Sequence, residues 1–138
     1  MTLKVMLVVP EGQVWAGDAD RVVAKTLDGD IGVLTGHTPV LGILAPGSVV
    51  RILPQGAAAP SGWVQAAVGG GFLSVADDTV SILAREAALG ADVNKSAVRS
   101  QLDSAGDGQG EQDDDAKAAR QQRLGYLSAQ LRAAGEES

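Results

Sequence analysis

Arg21-Val22-Val23-Ala24-Lys25-Thr26-Leu27-Asp28-Gly29-Asp30-Ile31-Gly32-Val33-Leu34 is the stretch on which the fold turns. Val22, Ala24 and Thr26 alternate with Val23, Lys25 and Leu27, which is the two-residue period of a strand. Asp28-Gly29 then supplies a hairpin signal, and a second short run, Ile31 to Leu34, follows it. The same grammar extends upstream. Leu3, Val5, Leu7 and Val9 alternate with Lys4, Met6 and Val8, and Pro10-Glu11-Gly12 turns the chain into Gln13 to Gly17. Downstream, Val40 to Leu44, Ser48 to Leu53, Trp63 to Val68, Phe72 to Ala76 and Val80 to Ala84 recur between Gly, Pro and Asp, with Asp77-Asp78 as the last hairpin turn. This spacing predicts an all-β N-terminal sandwich of about ten short strands over residues 1–86.

Composition limits what such a sandwich can do. The chain has 138 residues, 45% hydrophobic but only 3% aromatic, so its core is thin and a large aromatic-lined cofactor cavity is not expected. No cofactor is expected either. A net charge of -6 argues against a nucleic-acid partner, which needs basic surface to neutralise phosphates. The absence of cysteine removes disulfides, thiolate zinc sites and a cysteine nucleophile, and a single histidine, His37, removes a multi-histidine metal site. No apolar run is long enough for a signal-peptide core or a membrane span, which places the expected location in the cytosol without direct membrane insertion. Gly69-Gly70-Gly71 invites comparison with a phosphate-binding loop. A strand, Phe72 to Val75, follows it where a phosphate cradle needs a helix N-terminus, so a bulge or tight hairpin is the better reading. The uncharged stretch Pro54 to Gly62 reads as a variable surface tip.

After Glu86 the pattern changes to helix, and residues 87–138 read as a helix-loop-helix arm with a linker at about 106–115. Asp92 is the expected N-cap of a first helix with the stripe Val98, Leu102 and Ala105, and Gly106 its expected C-cap. Asp107 to Asp115 lacks the ligand spacing of a calcium loop and reads as a solvated acidic linker. The final helix, Ala116 to Ala134, puts Ala116, Leu124, Leu127, Leu131 and Ala134 on one stripe, with Lys117, Arg120, Arg123 and Arg132 around it. Stripes this small gain little from packing, so the arm is expected to detach easily.

Gly29-Asp30-Ile31-Gly32-Val33-Leu34-Thr35-Gly36-His37-Thr38-Pro39 resembles the signature loop of the epsilon subunits of F-type ATP synthases. Leu44-Ala45-Pro46-Gly47, Gly70-Gly71-Phe72-Leu73-Ser74-Val75 and Asp78-Thr79-Val80-Ser81-Ile82-Leu83-Ala84 follow the family pattern in order, so the resemblance covers residues 3–86. It implies a non-catalytic rotor subunit that clamps the gamma shaft to the ring of c subunits, peripheral on the cytoplasmic side of a bacterial plasma membrane. It also implies that the Asp28 to His37 loop faces the c-ring, with Asp28, Asp30 and His37 as contact residues. For the arm it implies extension towards the catalytic beta subunits, where Lys117, Arg120, Arg123 and Arg132 would resist hydrolysis; a solvated helix face stays open for the same four residues. Some members bind ATP on the folded arm through an Ile/Leu-Asp-x-x-Arg-Ala motif. One alignment, Val93-Asn94-Lys95-Ser96-Ala97-Val98, loses both charged residues; the other, Ala91-Asp92-Val93-Asn94-Lys95-Ser96, keeps Asp92 but puts Lys95 for the arginine, and a lysine lacks the planar guanidinium fork, so ATP binding is expected to be weak or absent.

Two other classes compete. An enzyme would need a nucleophile and a base, and no Gly-x-Ser-x-Gly elbow or second histidine is present. A free-standing β-sandwich module binding a ligand or peptide through its loops would need aromatic loop tips, whereas Trp15 and Trp63 both fall inside strand patterns.

Overall fold

The computed structural model describes residues 2–57, 62–105 and 114–135. Nine strands lie among them: β1 (Leu3–Val9), β2 (Gly12–Thr26), β3 (Gly29–Val33), β4 (Val40–Leu44), β5 (Ser48–Pro54), β6 (Val64–Val68), β7 (Gly71–Ala76), β8 (Thr79–Ala84) and β9 (Ala87–Leu89). Two helices follow, α1 (Lys95–Ala105) and α2 (Asp114–Ala133).

The long second strand organises the sandwich. Sequence pattern separates Gln13 to Gly17 from Arg21 to Leu27, yet Asp18, Ala19 and Asp20 stay extended and join them into one strand of 15 residues. Its first half pairs antiparallel with β1, from Val9 opposite Gly12 to Leu3 opposite Ala19. Its second half lies between β5 and β3, with Val22 opposite both Ile52 and Val33. The register shifts between Ala19 and Arg21, an irregularity that bends the strand from one layer into the other. The first layer runs from β2 through β1, β8 and β7 to β4, with β1 and β8 parallel. The second runs from β3 through β2, β5 and β6 to β9.

The alternating residues fill the space between the layers as the period requires. Leu3, Val5, Leu7, Val22, Val33, Leu44, Val50, Ile52, Leu73, Val80 and Ile82 are fully buried or nearly so in one cluster. Trp15 packs against that cluster, and the Arg51 guanidinium lies 5.6 Å from the centre of the Trp63 ring. Gly71 opens β7 at φ +141, where a Cβ would come within 2.0 Å of Leu83 O, so the triple glycine allows close strand approach. The sheet also runs past Glu86, because Ala87, Ala88 and Leu89 pair with Val68, Ala67 and Ala66.

The start of the arm differs from its sequence reading. Asn94, not Asp92, caps α1: its Oδ1 accepts the Ala97 N–H at 3.1 Å, whereas Asp92 belongs to a 3-10 turn spanning Gly90–Asp92. A residue followed by Val93 and Asn94 stands too far upstream to cap a helix that opens at Lys95. The second helix begins at Asp114 rather than Ala116. Gly106, linker residues 106–113, tip residues 58–61 and the side chains of Ala105, Asp114, Asp115 and Ala116 lie outside what the structure describes.

α2 packs through two faces, one on α1 and one on the sandwich. Leu127 and Leu131 from the expected stripe meet Val98 of α1, with Val93 and Leu102 beside them. A second face, Tyr126, Ala129 and Ala133, is buried against Ala67 and Val49 on the outside of the second layer. That face is absent from the sequence reading because alanine on a helix reads as propensity and not as burial.

Candidate interaction surfaces

Among the described residues no group of three or more His, Asp or Glu side chains could hold a metal ion. Three surfaces carry side chains of interest.

The outer face of the first layer is apolar. In β1, β8, β7 and β4 the core residues take one parity, and at least one large apolar residue stands on the other. Register sets Ile43 opposite Phe72, Phe72 opposite Leu83 and Leu83 opposite Val8, a continuous row across four strands. Ile43, Phe72 and Leu83 are each 52% exposed. A second row holds Leu41, Ser74, Ser81 and Met6, with Leu41 74% exposed. A contiguous exposed apolar patch marks an interaction site, whereas single exposed leucines need no explanation. The sequence carries the signal faintly. Both parities are apolar in Leu41 to Leu44 and in Ile82-Leu83, but only sheet order brings the outward residues side by side.

The second surface is the β2–β3 hairpin. Thr26 Oγ1 donates to Gly29 O at 2.8 Å and accepts the Asp28 N–H at 3.2 Å, which fixes the turn. Leu27, Asp28 and Asp30 all project into solvent. Asp30 also sits directly across the strands from Lys25 and lines a polar cleft of about 380 Å³ with Lys25, Arg51 and Arg132. His37 does not join this tip. It follows the far end of β3, where Gly36 N–H donates to Asp78 Oδ1 at 2.7 Å, beside the β7–β8 turn. His37 Nδ1 lies 2.7 Å from Thr38 O, a contact that needs the proton on Nδ1. Asp28 thus precedes β3, Asp30 lies near its start and His37 follows its end, which puts Asp28 and His37 roughly 15 Å apart at strand rise.

The third surface is the arm. Lys117 is exposed and Arg120 half-buried. Arg123 approaches Glu86 at 3.9 Å, both side chains about half exposed at 51%. Arg132 donates to Gly47 O at 2.7 Å. Arg123 and Arg132 thus both reach from the arm to the sandwich. Burial pushes the Tyr126 phenol up to about 12, Glu86 adding to the rise and Arg123 opposing it. Asp92 and Lys95 are both exposed, at the entrance to α1.

Comparisons with known proteins meet this geometry. The family model described as "ATP synthase, Delta/Epsilon chain, beta-sandwich domain" matches residues 2–90. The ATP synthase epsilon chain of Thermobifida fusca is 53% identical over 104 residues, covering 75% of this chain and 74% of that one. The epsilon chain of Rhodococcus opacus is 45% identical over 105 residues, covering 76% and 83%. A chain of the Euglena gracilis mitochondrial ATP synthase superposes with a TM-score of 0.78 at 21% identity, covering 98% of this chain and 82% of that one. A chain of the Tetrahymena thermophila mitochondrial ATP synthase central stalk and c-ring assembly gives 0.63 at 20% identity, covering 96% of each. At those identities the two structures speak for the fold, and they do so over the arm as well as the sandwich.

Proposed function

This chain belongs to the ATP synthase delta/epsilon family, and from that premise we propose that its two ends couple a gamma shaft to a ring of c subunits. It is a non-catalytic central-stalk subunit. The observation that carries the gamma assignment is the row Ile43-Phe72-Leu83-Val8 on the outside of the first layer, opposite the face covered by the arm. An apolar strip on a rigid two-layer body suits a permanent, torque-bearing contact, because close-packed interiors transmit strain with little compliance.

The ring contact falls to the hairpin tip. Asp28 and Asp30, with Leu27 beside them, present negative charge and one apolar side chain at the end of β2 and β3. A ring contact that also uses His37 has to span the roughly 15 Å length of β3. Lys117, Arg120, Arg123 and Arg132 are the residues through which a released arm would meet acidic surface on the catalytic beta subunits. Docking engages Arg123 and Arg132, so inhibition through them requires the arm to leave the sandwich. Nothing in the exposed positions of Asp92 and Lys95 replaces the missing arginine, and ATP affinity is expected to be weak or absent. Among the described residues no helix is long and apolar enough to cross a membrane. The chain reaches a bacterial plasma membrane, on its cytoplasmic side, through subunit contacts alone.

Co-purification tests the reading. Tagged full-length chain mixed with a gamma subunit of the same enzyme should form a stoichiometric complex that withstands high salt, as an apolar contact does. Failure to form it, with both partners folded, would remove the gamma assignment.

A further inference from the structure

Gly125 stands in the interior of α2, where glycine costs about 1 kcal/mol relative to alanine. The constraint at that point lies on the turn facing the helix and not on Gly125 itself. The β4–β5 turn crosses the helix at that point, and a Cβ on Gly47 would lie 2.8 Å from Gly125 C and 2.9 Å from its O. Eight residues on, about 12 Å along the axis, α2 makes a second backbone contact. A Cβ on Gly90 would lie 1.9 Å from Ala133 O and 2.5 Å from Ala133 C. Between these points the helix rests on Ala67, with Ala129 and Ala133 facing the strand.

We infer that Gly47 and Gly90 form a two-point steric key that admits α2 in one register only, making arm docking an all-or-none switch set by backbone fit. The docked face offers mostly alanine methyls and one tyrosine, so a small outward displacement removes most of its van der Waals contact at once. Two contacts spaced along the axis also prevent the helix from sliding to a neighbouring turn. This inference rests on the reading of the arm as a regulatory element for its consequence: the key decides whether Arg123 and Arg132 are occupied by the sandwich or free.

The two glycines differ in what a substitution tests. Gly47 has φ +70, so any side chain there strains the turn itself. Gly90 does not adopt a positive φ, so alanine suits its backbone and conflicts only with the docked helix. Gly125 is the control, because a methyl there would meet Gly47 Cα at 3.9 Å, ordinary contact distance.

Two-dimensional NMR on the isolated full chain reads the switch without any other subunit, so its failure is distinct from failure of the subunit assignment. Nuclear Overhauser contacts between the Tyr126 ring and the Ala67 methyl report docking, and those between Leu73 and Ile82 report the sandwich. Gly90→Ala should abolish the first at least tenfold and keep the second. Tryptophan emission should shift to the red together with that loss, since Ala133 walls the cleft that holds Trp15 and Trp63. Ala67→Leu, which adds bulk under the helix on the face away from the core, should do the same. Gly125→Ala should keep both sets of contacts. Retention of the Tyr126–Ala67 contact in Gly90→Ala, or its loss in Gly125→Ala, would overturn the key.

Discussion

Replacing Phe72 by alanine separates partner binding from folding. Phe72 is 52% exposed at the centre of the apolar row, between Ile43 and Leu83. An aromatic side chain of this kind offers about 200 Å² in total, so about 100 Å² remains for a partner to cover. At about 25 cal/mol per Å², covering it contributes about 2.5 kcal/mol, which corresponds to roughly 70-fold in affinity. The cost to the fold is much smaller, because the ring is not in the core and loses only cross-strand neighbours, about 0.5–1 kcal/mol. Titration calorimetry of the full chain against purified gamma should therefore show the dissociation constant rising by one to two orders of magnitude. Urea unfolding of the free chain should barely move. Leu27→Ala removes a side chain that is 64% exposed but lies off the row, and should leave gamma affinity unchanged. A dissociation constant within threefold of the unaltered chain for Phe72→Ala would refute the placement of gamma on this face.

Further outcomes follow from other contacts. Gly71→Ala forces a Cβ to within 2.0 Å of Leu83 O at a positive φ and should lower unfolding free energy by more than about 3 kcal/mol, measured by urea denaturation. Arg132→Gln weakens the hydrogen bond to Gly47 O, an exposed interaction of about 1 kcal/mol, and should lower the docked population only a few-fold in the same NMR assay. The Tyr126 phenol is raised from 10.0 to about 12 in the docked state, so its contribution is complete below pH 10 and is lost as pH rises through 12. Docking should weaken over that window, and Tyr126→Phe should abolish the dependence. Asp30→Lys reverses charge at the hairpin tip and should lower proton pumping per ATP hydrolysed in membrane vesicles; unchanged coupling would detach Asp30 from the ring. Deleting residues 95–138 should raise ATP hydrolysis by the assembled complex, and equal rates would leave the arm without an inhibitory role. The cut belongs after Asn94 and not after Glu86, because Ala87–Leu89 is a strand paired with β6.

Much of this molecule is written in short-range pattern. The period of two in Leu3 to Val9 and Arg21 to Leu27, the turn at Asp28-Gly29 and the strand after Gly69-Gly70-Gly71 specify strands and hairpins, because pleat geometry and positive φ are local constraints. The charge balance and the single histidine likewise carry, in composition alone, the expectation of no nucleic-acid partner and no multi-histidine metal site. Long-range contact decided the rest. Only sheet order turns Ile43, Phe72, Leu83 and Val8, scattered over four strands, into one apolar strip, and only the extended run of β3 carries His37, beyond its end, away from Asp30, near its start, within a single motif. The second face of α2 became visible only where Ala67 lies beneath it, since alanine declares neither burial nor exposure by itself. Gly47 and Gly90 make the same point: each is one of eighteen glycines in the sequence, and the tertiary fold makes each a seat for the backbone of α2, because the space a missing side chain leaves has meaning only when something else fills it.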